Sequence, residues 1–170
     1  MSELHAALEE LSRRLWDERR VVTYLLFKLT VTKLLLAADE RRFVPDALKE
    51  VDRTVELLRD GEHQRDDAVR DLAGMWRVLP EDLTLRELAR RSPPPFDHVF
   101  EEHRVAFDGL SAEIDQVAGE NRALARSDLG AVQGTLDQLT GTTDSVVATY
   151  DARGQVDHRR RVGDRIREVL

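Results

Sequence analysis

The sequence predicts an all-α protein, an elongated antiparallel helical bundle of three long helices with a short linker helix and coiled-coil-like packing. Two observations predict it. Apolar residues recur at steps alternating four and three through three separate stretches of the chain, the spacing by which a helix buries one narrow seam. Between the second and third stretches stand Pro80 and Ser92-Pro93-Pro94-Pro95, which end helices rather than continue them.

The first helix spans about residues 2–38, with the seam Leu4, Leu8, Leu11, Leu15, Glu18, Val22, Leu25, Leu29, Thr32, Leu36. Around Val21, Tyr24, Leu26, Phe27, Val31, Leu34 and Leu35 its apolar face widens over most of the circumference, which predicts contact with two partners rather than one. Val21 to Leu36 is the most apolar run of the chain. It spans 16 residues and carries Lys28 and Lys33, so it reads as a buried helix centre and not as a membrane span.

The second helix, about 45–78, begins with Pro45 in its first turn. Its seam is Val44, Leu48, Val51, Val55, Leu58, Glu62, Arg65, Val69, Leu72, Trp76, Leu79. Gly61 weakens it by roughly 1 kcal/mol relative to Ala and marks a candidate bend. An antiparallel hairpin about residue 40 sets Leu36 opposite Val44, Leu29 opposite Val51, Leu25 opposite Val55 and Val22 opposite Leu58. The same register puts Glu18 opposite Glu62 and Leu15 opposite Arg65, so the polar slots of both helices fall in one structural layer. Arg65 can neutralise the two glutamates there and fix the register. A metal or acid/base site would need more ligands. No Glu-x-x-His motif exists to supply them.

Thr84-Leu85-Arg86-Glu87 reads as a capping box, with Leu83 and Leu88 at the positions of a hydrophobic staple, and it starts a short helix over 85–91. The three prolines then make a stiff corner before the third long helix, about 94–140. Its seam runs Phe96, Phe100, His103, Phe107, Leu110, Ile114, Val117, Asn121, Leu124. After Leu124 the register slips to Leu129, Val132, Leu136 and Leu139, Gly130 and Gly134 enter, and Gly141 stands where a helix cap belongs. The glycines either let another backbone approach or keep this segment loosely held until a partner binds. The bundle is expected to occupy residues 1–141, with 142–170 a mobile polar and basic tail.

Composition narrows the function. With 170 residues, 41% of them hydrophobic and 35% charged, the chain makes one globular domain rather than a disordered one. Without cysteine it has neither disulfides nor thiolate chemistry. Met1-Ser2-Glu3-Leu4-His5 has no basic and apolar leader pattern, so secretion by the general route is not expected. A net charge of −7 argues against nucleic acid. Residues 151–170 do hold six Arg against four Asp and Glu, with His158-Arg159-Arg160-Arg161 among them; this reads as a solvated end. The five histidines, at 5, 63, 98, 103 and 158, are scattered, and the glycine-rich, zinc-binding and nucleophile-elbow motifs are missing. No cofactor, metal or catalytic residue is expected. Physical chemistry alone leads to a helical interaction module.

Several phrases carry more. Leu26-Phe27-Lys28-Leu29 and Leu34-Leu35-Leu36-Ala37-Ala38 stand in the first helix, and Glu50-Val51 and Leu58-Arg59 with Glu62 and Arg65 in the second. Thr84-Leu85-Arg86-Glu87-Leu88-Ala89, Glu102-His103-Arg104 and Thr149-Tyr150-Asp151-Ala152-Arg153-Gly154 follow in that order. Over about residues 4–154 the chain resembles the FlgN-type flagellar export chaperones, in their high-GC Gram-positive form. The 23 Arg against 3 Lys fit such a genome. The resemblance implies a cytoplasmic chaperone, not an enzyme. Such a chaperone binds the amphipathic terminal helices of hook-filament junction proteins and delivers them to the flagellar export apparatus. It points to Leu124, Leu129, Val132, Leu136 and Leu139 as client-facing, to Tyr150 as the export-gate contact, and to a monomer or weak dimer. The sixteen residues after Gly154 depart from the family pattern. The rival reading is a coiled-coil adaptor or structural protein that forms a homodimer through the third helix.

Overall fold

A computed structural model describes residues 2–140, giving the backbone course alone for 128–140. Four α-helices make it up: α1 (Glu3–Ala37), α2 (Val44–Trp76), α3 (Leu85–Arg91) and α4 (Phe96–Thr140), with short 3-10 turns at Arg41–Phe43 and Pro80–Asp82. The described residues contain no strand. The helices pack as an all-α bundle, as the seam spacing predicts.

Local chemistry sets the helix ends. Ser2 caps α1, its hydroxyl accepting the His5 N–H at 3.2 Å, and so satisfies one orphan donor of the first turn. α2 continues unbroken through Gly61, so the expected bend is not there. Nothing lies within 4 Å of where a Cβ would stand on that glycine. α2 stops at Trp76, ahead of Pro80, because Arg77 adopts the left-handed conformation (φ 54°, ψ 45°) and turns its N–H back to Ala73 and Gly74. Thr84 caps α3 by accepting the Glu87 N–H at 3.3 Å. The reciprocal half of the box is not made: the Glu87 carboxylate instead binds Arg90 and Arg91, which hold its pKa down at about 2.

α1 and α2 form the antiparallel hairpin. Lys28 Nζ lies 3.4 Å from Glu50 of α2, Arg14 reaches Gln64, and Arg65 reaches Glu18. After the proline corner the chain turns again, and α4 runs parallel to α1. His5 meets Phe96 at 5.1 Å and Trp16 meets His103 at 5.0 Å between ring centroids. Further along, Lys33 binds Glu120 at 2.9 Å and Asn121 donates to the Leu29 carbonyl at 3.0 Å. α1 is therefore the central helix, packed on both α2 and α4, while α3 packs on α4.

The core is the line where these seams meet. Leu8, Leu11, Leu15, Val22 and Leu25 of α1 are buried with Leu58 and Leu72 of α2 and with Phe96, Phe100, Phe107 and Ile114 of α4. Leu83, Leu85 and Leu88 close one end over α4. α2 is rolled slightly from its expected seam. Thr54 and Ala68 are buried, whereas Leu48 and Leu79 are exposed. Small side chains on that line are buried as well as large ones, which a reading of large apolar residues alone does not anticipate.

Candidate functional site

Three places in this frame hold chemistry or uncovered apolar surface. The first is the polar layer inside the hairpin. Arg65 Nη1 donates to Glu18 Oε1 at 2.7 Å and its Nη2 donates to Asp66 Oδ1 at 2.9 Å. Glu18 is 3% exposed and its second oxygen has no hydrogen-bond partner. Burial pushes its pKa up to about 7, against the pull of Arg65, and the nearby charges of Glu62 and Asp66 push the same way. Glu62 stands half-buried beside this pair. Asp66, absent from the expected layer, is exposed and next to Arg65 in sequence, so no seam pattern points to it. One guanidinium thus serves two carboxylates, one on its own helix and one on α1, and the bond to Glu18 ties α2 to α1.

The second place is His103, 1% exposed on α4 with neither ring nitrogen hydrogen-bonded. Burial, helped by the charge of Arg19, lowers its pKa to about 4, so the ring is neutral at pH 7. It packs edge-on to Trp16 and beside Phe107. In a seam of phenylalanines the imidazole acts as a flat packing group. Among the described residues no three His, Asp or Glu side chains are grouped so as to hold a metal ion.

The third is the far end of α4. Its register against α1 is offset by 87 positions at Lys33–Glu120 and by 92 at Leu29–Asn121. The last residue of α1, Ala37, therefore falls opposite residues 124–129 of α4. Leu124 is half-buried at that limit. The backbone stays helical to Thr140, roughly 20 Å further at 1.5 Å per residue. Leu129, Val132, Leu136 and Leu139 belong to this overhang, with side chains outside the described residues, as are Tyr150 and the tail.

The wide apolar face of α1 also resolves. Val21, Leu26 and Leu29 pack on the core, in accord with two neighbours. Tyr24, Phe27 and Leu34 are 45–60% exposed, and Trp16, which touches His103 of α4 with one edge, is 46% exposed. Their separations are sums of three- and four-residue helical steps, which place them along one side of α1. No described helix is long and apolar enough to cross a membrane.

Seamed helices packed on a central α1, with apolar side chains left exposed along it, define the class, an all-α helical bundle. More particularly, the chain belongs to the FlgN family, whose model, described as FlgN protein, matches residues 1–158. This is a family of flagellar export chaperones and not of enzymes. Comparisons with curated proteins and with solved structures give no match.

Proposed function

We propose that this chain is a cytoplasmic chaperone for flagellar hook-filament junction proteins, holding their amphipathic terminal helices and handing them to the export apparatus. One observation carries the site assignment: α4 remains helical well past the end of its α1 partner, and the apolar sequence continues there. Leu124 begins the client surface, and Leu129, Val132, Leu136 and Leu139 extend it. A client helix laid along this stripe gains the burial that α1 supplies nearer the middle of the molecule. Gly130 and Gly134 lower the helix propensity of the overhang by about 1 kcal/mol each relative to Ala, so client binding and ordering reinforce each other. Tyr150, beyond the helix, is the residue assigned to export-gate docking.

The test is co-expression with a hook-junction protein followed by pull-down. The triple variant L129D/V132D/L136D loses the client while circular dichroism keeps its helical signal. Client retained at wild-type level by the triple variant refutes the site. A chain that sediments at twice 19.4 kDa with or without client, and loses that mass in the triple variant, establishes instead the homodimeric adaptor built on α4.

A further inference from the structure

The back of α1 carries a stripe that matches itself. Arg20, Tyr24, Phe27, Val31, Leu34 and Ala38 follow one another in alternating steps of four and three, the spacing of a helix-pairing seam. Arg20, Tyr24, Phe27 and Leu34 stand two residues after the buried positions Glu18, Val22, Leu25 and Thr32. Two positions turn a helix by about 200°, so the stripe faces away from the bundle core. Tyr24, Phe27 and Leu34 are 45–60% exposed, and the Tyr24 and Phe27 rings stack at 6.0 Å between centroids. Val31 is half-buried beside them, at the rim of a hollow it shares with Leu35 and Phe43.

An antiparallel pair of such stripes can be centred on any gap between seam positions, and the residues decide which. Centred between Phe27 and Val31, Phe27 of one copy meets Val31 of the other and Tyr24 meets Leu34. The apolar side chains of both copies then form one continuous layer. Centred one step earlier, Leu34 meets Asp17 and Val31 meets Arg20; centred one step later, Tyr24 falls at the level of Arg41, past the end of the helix. The first register also suits the charges at its ends, where Arg20 comes level with Ala38 and Asp39, and Asp17 with Arg41. Within one chain Arg20 lies 3.9 Å from Asp17 and Arg41 lies 2.5 Å from Asp39. The ends therefore meet as two neutral pairs with opposite signs facing. Lys28, at the edge of the rings, is set against Glu50 at 3.4 Å, so charge does not oppose a second copy.

We infer that two copies of this chain pair back to back through α1, antiparallel, about a two-fold axis between Phe27 and Val31. Such an interface is isologous, the same patch serving both copies. The large side chains of the stripe, with Val31, Leu35, Thr23, Ala38 and the Arg20 stem around them, offer roughly 500–600 Å² a side, at the lower edge of specific interfaces. The dimer is therefore reversible rather than obligate. It differs from a homodimer built on α4, and it stands apart from the export reading, since it uses α1 and not the overhang of α4.

Sedimentation equilibrium of the full chain without client tests the pairing. The mass should rise from 19.4 kDa toward twice that value as concentration increases over roughly 1–500 μM. F27D/L34D alters two exposed side chains, should keep the helical signal, and should stay at the monomer mass throughout. The milder F27S/L34S, which adds no charge, should weaken association by about tenfold. In R20C carrying a spin label, the two labels of a dimer should lie about 30 Å apart, because the copy of Arg20 stands at the level of Ala38. A separation near about 10 Å marks a parallel pair and overturns the register. A chain that stays monomeric over the whole range overturns the inference, as does a dimer indifferent to both α1 variants. So does a dimer lost in L129D/V132D/L136D and kept in F27D/L34D, which gives the pairing to α4. L129D/V132D/L136D should otherwise dimerise normally, so loss of client there and loss of the dimer at α1 are separate results.

Discussion

Replacing Arg65 by Met tests the polar layer most directly. Its guanidinium is 10% exposed and 2.7 Å from a carboxylate that is 3% exposed. At an effective dielectric constant near 20, such a pair attracts by roughly 4 kcal/mol, and breaking a buried pair from one side costs about 3–5 kcal/mol. Against a total stability of order 5–15 kcal/mol, R65M should remain folded but fragile. The loss depends on pH in a definite direction. Glu18 ordinarily ionises at 4.5 and in the fold at about 7, so between these values the folded state holds the proton and the unfolded state does not. The stabilisation from that proton is full below pH 4.5 and fades as pH rises through 7. Without Arg65 the folded value climbs further and the fade continues into alkaline pH. Urea unfolding should therefore show R65M losing more stability than wild type between pH 5 and pH 8, by up to about 1.4 kcal/mol, because the wild-type loss ends near pH 7 and that of R65M runs on for the last pH unit. The double variant E18L/R65M should recover most of the loss, because no charge is left stranded. Equal pH slopes in R65M and wild type, or a double variant as weak as R65M, would refute the reasoning.

Two further outcomes are expected. His103, about 4 in the fold and 6.5 ordinarily, takes up its proton first in the unfolded chain, so its contribution is present above pH 6.5 and lost as pH falls through 4. H103L should remove up to about 3 kcal/mol of acid sensitivity, read as a flatter urea midpoint between pH 7 and pH 4. Thr84→Ala removes the hydroxyl that accepts the Glu87 N–H and should cost about 1 kcal/mol, seen as a lower melting temperature.

The long helices were legible because burial wrote a period into them. Leu8 to Leu25 and Phe96 to Ile114 are large side chains in alternating steps, and they form the core. The side on which α4 docks was not legible. Parallel packing on α1 follows from the proline corner and α3, whose combined geometry no local pattern states. α2 shows the limit of counting large residues: Thr54 and Ala68 are buried because they are small, and Leu48 is exposed although it fits the seam. The Glu18–Arg65 contact was foreshadowed by register, but Asp66 was not, since it joins through an exposed neighbour. The half-made capping box is a competition the motif does not contain, as Arg90 and Arg91 draw Glu87 away from the backbone.

The α4 overhang and the back of α1 have different physical origins. The overhang runs on past the end of its partner helix, and Gly130 and Gly134 lower its intrinsic helix propensity. The back of α1 is bare although the helix beneath it is held from both other sides by α2 and α4, so it is preformed and a ligand there need not meet the cost of ordering it. By the offset between the helices, Leu34 lies opposite residues 121–126 of α4, so the preformed face ends near the level where the overhang begins.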